Sequence, residues 1–167
     1  MAMTIKTDGL DDLSKMLADL GVKAEEVAAR ALYDGAGVMA DAFTVAAKRI
    51  RAEKQQKKNP KGEHTPARWP TPDEKDAVVK AVGIAKFRKN GGEVDTLVGV
   101  GGSAGYAMID GKKKPVRRIA RSINSGTSFM HKQPVFRKAK NVAEKSATAA
   151  IVEKANEMYE EIINGSG

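Results

Sequence analysis

Between Lys23 and Ile50 the apolar residues Val27, Ala31, Leu32, Val38, Met39, Ala42, Phe43, Ala46 and Ile50 recur at mostly three- and four-residue steps. This is one stripe over about seven helical turns, and a helix of that length constrains the whole fold, because its apolar side has to be covered. A second stripe starts at Val135 and runs through Val142, Ala143, Ala147, Ala150, Ile151, Ala155, Met158, Tyr159 and Ile162. Two long helices, one in each half of the chain, therefore frame whatever lies between them. Gly35 and Gly37 interrupt the first stripe. Each costs about 1 kcal/mol relative to Ala inside a helix, so the pattern predicts either a close backbone approach or a bend there.

Met3 to Thr7 reads as a short strand, and Leu10, Leu13, Leu17 and Leu20 line one face of a first helix that Gly21 ends. Thr71-Pro72-Asp73-Glu74 is a helix start, with Thr as N-cap, Pro at the first helical position and Glu placed to close a capping box; a short helix to about Lys80 should follow. Val82, Ile84 and Phe87 lead through Lys89-Asn90-Gly91-Gly92 to alternating Val94, Thr96, Val98 and Val100, which predicts a β-hairpin. After Gly101-Gly102-Ser103-Ala104-Gly105, Tyr106 to Ile109 reads as a returning strand. The pattern fails twice, which predicts mobile basic loops over about 52–70 and 110–122. The expected class is α+β: a small antiparallel sheet packed against a long N-terminal-half helix and a C-terminal helix, with basic loop insertions. At 167 residues the chain suits a single domain over 1–167, whose core buries roughly 70% of the unfolded surface.

The search for chemistry returns little. The chain has no Cys, which removes disulfides, thiolate nucleophiles and Cys-based zinc sites and fits a reducing compartment. Gly99-Val100-Gly101-Gly102-Ser103-Ala104 fits the start of a dinucleotide fingerprint, but the Tyr-Ala-Met-Ile that follows Gly105 is strand-like and supplies no helix N-terminus for a pyrophosphate. Gly111-Lys112-Lys113 lacks both the preceding glycine spacing and the Ser or Thr of a P-loop. His64 and His131 are the only imidazoles, and Asp11-Asp12 and Glu160-Glu161 are adjacent rather than facing pairs. The expectation is a protein without catalytic residues, metal or cofactor.

A net charge of +8 calls for a polyanionic neighbour, either DNA or an acidic protein surface. With 5% aromatic residues and Trp69 the only Trp, base stacking on single strands is a poor fit. The charge is clustered. Lys48, Arg49, Arg51, Lys54, Lys57, Lys58 and Lys61 form one group, and Lys112, Lys113, Lys114, Arg117, Arg118 and Arg121 a second. Either group reads as solvated loops that keep the chain soluble, or as a contact with DNA phosphates or an acidic partner. The N-terminal Met1-Ala2-Met3-Thr4-Ile5-Lys6 has no signal-like apolar run and no stretch approaches the ~20 apolar residues of a membrane span, so a soluble protein is expected.

Ile123 to Ala139 joins a Gly-Thr turn to a Pro-x-Phe-Arg helix entry. Gly126 is expected to take a positive φ, Pro134 to fix the entry, Phe136 to anchor the last helix against the sheet, and Arg137 to make a polar contact at the edge. With Ser125-Gly126-Thr127, Gln133-Pro134-Val135-Phe136-Arg137 and the more weakly matching Tyr106-Ala107, the chain resembles the small tail-completion proteins of long-tailed bacteriophages. In those proteins a strand ends in a Phe-Gly-Thr-like turn followed by Pro-Phe-Leu-Arg-Pro-Ala and a terminal helix. Ser125 stands here in place of the aromatic, Trp69-Pro70-Thr71-Pro72-Asp73-Glu74 replaces the family's Val-Asp-Thr-Gly-x-Leu, and Lys112 to Arg121 reads as an insertion.

The resemblance implies a structural virion protein: a homo-oligomeric, hexameric ring in the neck, joining head to tail around the DNA channel. It would be assembled in the host cytoplasm beside tail-terminator and head-closure rings. Tyr106, Ser125, Gly126, Thr127, Pro134, Phe136 and Arg137 would shape its assembly contacts, and the basic clusters would meet neighbouring proteins or genomic DNA. A tail terminator or head-closure protein is the alternative within this class. A basic double-stranded DNA-binding or packaging protein is the alternative from another class.

Overall fold

The computed structural model describes residues 2–3, 21–54, 67–90, 93–101 and 105–164. The leucine-rich segment 10–20, the cations Lys57, Lys58 and Lys61, and His64 lie outside the described residues. The long helix expected from the first stripe is α1 (Ala24–Lys48), preceded by a 3-10 turn over Gly21–Lys23. The short capped helix is α2 (Pro72–Lys80), and the C-terminal helix is α4 (Val135–Asn164). Between Lys112 and Ser125 lie two further elements, strand β7 (Lys112–Pro115) and helix α3 (Val116–Ser125).

α1 and α4 form the frame and run antiparallel. Val27 near the start of α1 clusters with Met158 near the end of α4, while Phe43 near the end of α1 meets Phe136 at the start of α4. The buried positions of α1 are Val27, Ala31, Gly35, Met39, Phe43 and Ala47, joined by Ala36; those of α4 include Ala143, Ala147, Ile151 and Ala155. Both rows step by four residues, so each helix offers an i±4 ridge, and the alanines and Gly35 let the ridges seat closely. Gly35 is where that approach is tightest. A methyl placed on it would collide with Ile151 Cγ1 and lie 2.8 Å from the Ala147 carbonyl oxygen, whereas one on Gly37 would meet nothing within 4 Å. Of the two readings for these glycines, Gly35 marks a backbone approach.

The α+β class is as expected. Strands β1 (Ala2–Met3), β5 (Val98–Val100) and β2 (Val82–Ile84) make an antiparallel sheet in the order β1-β5-β2. Met3 pairs with Val98, and Gly83 with Gly99. The hairpin continues outward as β3 (Arg88–Asn90) and β4 (Glu93–Asp95), with Asn90 opposite Glu93. Three residues, 85–87, face two, 96–97, between the paired segments, which splits the hairpin into two ladders. Val98 and Val100 enter the main core with Met39, Phe43, Ile109, Ile123 and Phe136. Fully burying a side chain of this size contributes roughly 1.5–3 kcal/mol.

The segment 110–122 is not the mobile loop its composition predicts. Strand β6 (Tyr106–Ile109) pairs antiparallel with β7, Tyr106 opposite Pro115 and Ile109 opposite Lys112. The turn between them is Asp110-Gly111, with φ 53° and 70°, the left-handed pair of a tight hairpin. α3 then buries Val116, Ile119, Ala120 and Ile123 and leaves Arg117, Arg118 and Arg121 exposed. Apolar spacing on one side of a basic helix is what holds this segment in place.

Candidate functional site

The Gly-Thr turn is the hub of a stitched junction. α3 ends at Ser125, so the turn follows a helix here and not the strand that the resemblance implied. Gly126 takes φ 76° and ψ 163°, a conformation essentially reserved for glycine, and its N–H donates to the Ser122 carbonyl at 2.9 Å. Thr127 and Met130 exchange backbone hydrogen bonds at 3.0 and 3.3 Å. Arg68 N–H donates to the Phe129 carbonyl at 3.1 Å, and His131 N–H to the Arg68 carbonyl at 3.0 Å, so residues around Arg68 lie alongside the turn in parallel register. Asn124 Oδ1 accepts from Phe136 N–H at 3.3 Å at the start of α4, directly after Pro134. Phe136 then anchors α4 edge-on to Phe43 of α1, ring centres 5.5 Å apart, so its ring partner is on a helix rather than on the sheet. Arg137 is exposed.

Replacing Gly126 by Ala tests the turn. The substitution forces a forbidden φ/ψ pair and sets a methyl 2.9 Å from Lys132 Cβ. A loss of about 2 kcal/mol is expected from urea unfolding, in line with strain at such sites. A loss near zero would mean that the turn refolds around alanine.

A second set of contacts ties the end of α1 to this junction. The Gln133 side chain clasps the Arg51 backbone from both sides, its Oε1 accepting from Arg51 N–H at 2.8 Å and its Nε2 donating to the Arg51 carbonyl at 3.0 Å. Glu53 N–H donates to the Pro70 carbonyl at 2.9 Å. The Arg51 guanidinium lies 4.4 Å from the Trp69 ring centre and is paired with Glu53 Oε1 at 2.6 Å, while His131 stacks on Trp69 at 4.5 Å. The ends of the predicted loop 52–70 are therefore fixed at 51–53 and 68–70. Arg51, predicted to reach a partner, is engaged within the fold.

Glu74 holds both basic segments together. Its side chain is 4% exposed and receives Arg68 Nη1 at 2.7 Å and Arg68 Nη2 at 2.8 Å. It also accepts from Thr71 N–H at 2.9 Å, while its own N–H donates to Thr71 Oγ1 at 3.2 Å, the reciprocal capping box expected at this helix start. Lys114 Nζ stands 4.0 Å away and also pairs with Asp110 at 3.3 Å. Burial alone would raise the Glu74 pKa, but the Arg68 bond, the Thr71 N–H and the charges of Arg68 and Lys114 outweigh it and hold the carboxyl below the usual range. Lys114, predicted to contact DNA or an acidic partner, is half-buried and pairs within the fold.

The remaining described cations face outward. Lys48, Arg49, Lys54, Lys112, Lys113, Arg117, Arg118 and Arg121 are exposed. Tyr106 and Met108 are exposed on β6, with Lys113 Nζ 4.9 Å from the Tyr106 ring centre. Phe129, at the tip of the Gly-Thr turn, is 59% exposed and was missed in the sequence, although a large apolar residue inside a polar turn is itself a signal. Arg68, Glu74 and Gln133 were also missed as a structural set. A groove of about 420 Å³ runs between the end of α1 and the start of α4, lined by Ala42, Val45, Ala46, Val135, Ala139 and Val142. Arg49 and Lys138 complete its lining. Among the described residues no three His, Asp or Glu gather as a metal site, and no helix is long and apolar enough to cross a membrane. Compared with family models, curated proteins and solved structures, the chain matches none.

Proposed function

We propose that this chain is a non-enzymatic ring subunit of the neck of a long-tailed phage, completing the tail end and joining head to tail around the DNA channel. The observation that carries the reading is the junction centred on Gly126. There Gly126, Thr127 and Phe136 of the tail-completion resemblance are tied by hydrogen bonds into one joint, which carries the exposed Phe129. Exposed Lys112, Lys113, Arg117, Arg118 and Arg121 give the same region a cationic surface suited to an acidic ring neighbour or to DNA phosphates. Tail-terminator and head-closure roles share these requirements.

Two experiments test the reading. Electron microscopy of a lysate from phage with this gene disabled should show free heads and free tails; normal virions would refute it. Reversing Arg117, Arg118 and Arg121 to Glu is expected to lower the yield of joined particles by at least about tenfold while leaving the fold intact, because all three are exposed. Unchanged joining would remove the cationic surface from the proposal.

The three outward arginines of α3 also support the second reading, a double-stranded DNA-binding or packaging protein. Salt separates the two. A DNA binder using six or more phosphates would lose roughly a thousandfold in affinity between about 50 and 200 mM salt, whereas a ring subunit binds neck proteins more tightly than DNA.

A further inference from the structure

The charge on α4 is divided along its length. Its first half carries Arg137, Lys138, Lys140 and Lys145 against Glu144, and its second half carries Glu153, Glu157, Glu160 and Glu161 against Lys154. This order opposes the helix macrodipole, which favours acids at the N-terminus and bases at the C-terminus. The first turn has no acid and the last turn no base, so the stability of the helix itself does not account for the arrangement. The antiparallel α1 reinforces the division. At the acidic end of α4, Glu25, Glu26 and Asp34 outnumber Lys23 and Arg30, the last paired with Glu26 at 2.9 Å, and Lys48 lies in the last turn of α1, at the basic end. The frame has one acidic end and one basic end.

Each end also shows apolar surface. At the basic end the groove between the helices exposes Val45 (48%) and Val142 (81%), with Arg49 and Lys138 among its lining. At the acidic end Ile163 is 52% exposed, one turn from Glu160. Glu153, Glu157 and Glu160 lie on the side of α4 opposite its buried Ile151, Ala155 and Met158, and Glu161 lies on the flank that carries Lys154. Val142 and Glu160 are eighteen residues apart on one continuous helix, about 27 Å at 1.5 Å per residue, so a molecule cannot fill its own groove with its own acidic end.

We infer that the groove receives the acidic end of α4 from a second copy of this chain, with Ile163 seated against Val45 and Val142 and Glu153 and Glu160, on the same side of the helix, facing Arg49 and Lys138. Such an interface is heterologous. Each copy uses a different patch to give and to receive, so repeated contacts close into a ring when the rotation between copies permits. The inference deepens the ring reading above and rests on it for the closed form, while the contact itself depends only on the complementarity of the two ends.

The test is sedimentation of the full chain over a range of concentrations, at about 50 mM and about 500 mM salt, where screening separates ionic from apolar association. The wild type should associate at low salt and loosen at high salt. Glu153→Lys with Glu160→Lys, and separately Arg49→Glu with Lys138→Glu, should each weaken association by at least about tenfold, because like charges then meet. A chain carrying all four reversals should regain it, since the polarity is inverted at both ends. All four residues are exposed, and circular dichroism should show an unchanged fold.

A wild type that stays monomeric at low salt, a single-end reversal that associates like the wild type, or a fourfold variant that remains monomeric would each overturn the proposal. The two readings fail separately. Head-to-tail association with normal virions from the disabled gene would remove only the neck role. Free heads and tails together with a monomeric chain would remove only this interface.

Discussion

Gly35→Ala is expected to lower stability by about 3 kcal/mol, while Gly37→Ala, two residues away in the same helix, is expected to raise it by roughly 0.5–1 kcal/mol. The opposite signs follow from what each new methyl meets. At Gly37 nothing lies within 4 Å, so the substitution collects the helix propensity of alanine. At Gly35 the methyl collides with Ile151 Cγ1 and lies 2.8 Å from the Ala147 carbonyl. The Ile151 side chain can change rotamer, but the carbonyl belongs to the backbone of α4 and moves only if the helix moves. Overpacking a close helix contact costs about 1–3 kcal/mol and occasionally more, well above the propensity gain. For a chain of this size the loss corresponds to a fall in Tm of about 6–12 °C. Thermal unfolding of the two variants beside the parent checks the pair. Equal effects at both positions would mean that α1 and α4 do not approach at Gly35. Adding Ile151→Val to Gly35→Ala should recover only part of the loss, because valine removes Cδ1 but keeps Cγ1, and the carbonyl remains.

The second large effect is expected at Glu74. Glu74→Gln keeps the shape of the side chain and its capacity to accept at the helix start, but removes the charge that Arg68 and Lys114 face. Removing one partner of a fully buried ion pair costs about 3–5 kcal/mol. Arg68 keeps about a third of its exposure, so water recovers part of that and about 2 kcal/mol is expected at neutral pH. The pH dependence has a definite sign. The folded Glu74 carboxyl titrates below its ordinary value of 4.5, so its contribution is complete above that pH and is lost as the pH falls through the folded value. Parent and variant should therefore differ at pH 7 and converge as the pH falls below 4.5 and through the folded value. A gap that persists in acid would assign the effect of Glu74 to packing instead of charge.

These two residues also show what the sequence carried and what it did not. The long helices, the Thr71 capping box and the hairpin around Asn90 were legible because each depends on spacing within a few residues. The glycine pair in α1 was legible only as an alternative, since choosing between bend and approach requires knowing that Ile151 arrives from the far end of the chain. The stretch 110–122 was misread because lysines mask a strand and arginines mask a helix. Yet Asp110-Gly111 is a tight hairpin signature, and Val116, Ile119, Ala120 and Ile123 carry helical spacing. Within the candidate site, the glycine conformation at Gly126 was foreseeable from the turn chemistry. The Gln133 clasp on Arg51 was not, because it joins residues 82 positions apart through a polar side chain that no periodicity marks. Likewise, nothing local distinguishes Lys114 from Lys112 and Lys113. Alternation along β7 sends Lys113 to the other face, while Lys112 shares the face of Lys114 but stands at the hairpin-turn end, so of the three it is Lys114 that lies beside Glu74.

The stacked position of Trp69 has a practical corollary. As the sole indole of the chain, in contact with the Arg51 guanidinium and the His131 imidazole, it is the only source of tryptophan fluorescence, and that source sits at the junction of residues 51–53, 68–70 and 127–133. Emission reports on one address in the molecule and leaves the helical frame dark. A ligand or neighbouring subunit that engages this junction therefore acts beside a built-in optical reporter, and engagement at that face can be followed without attaching a dye.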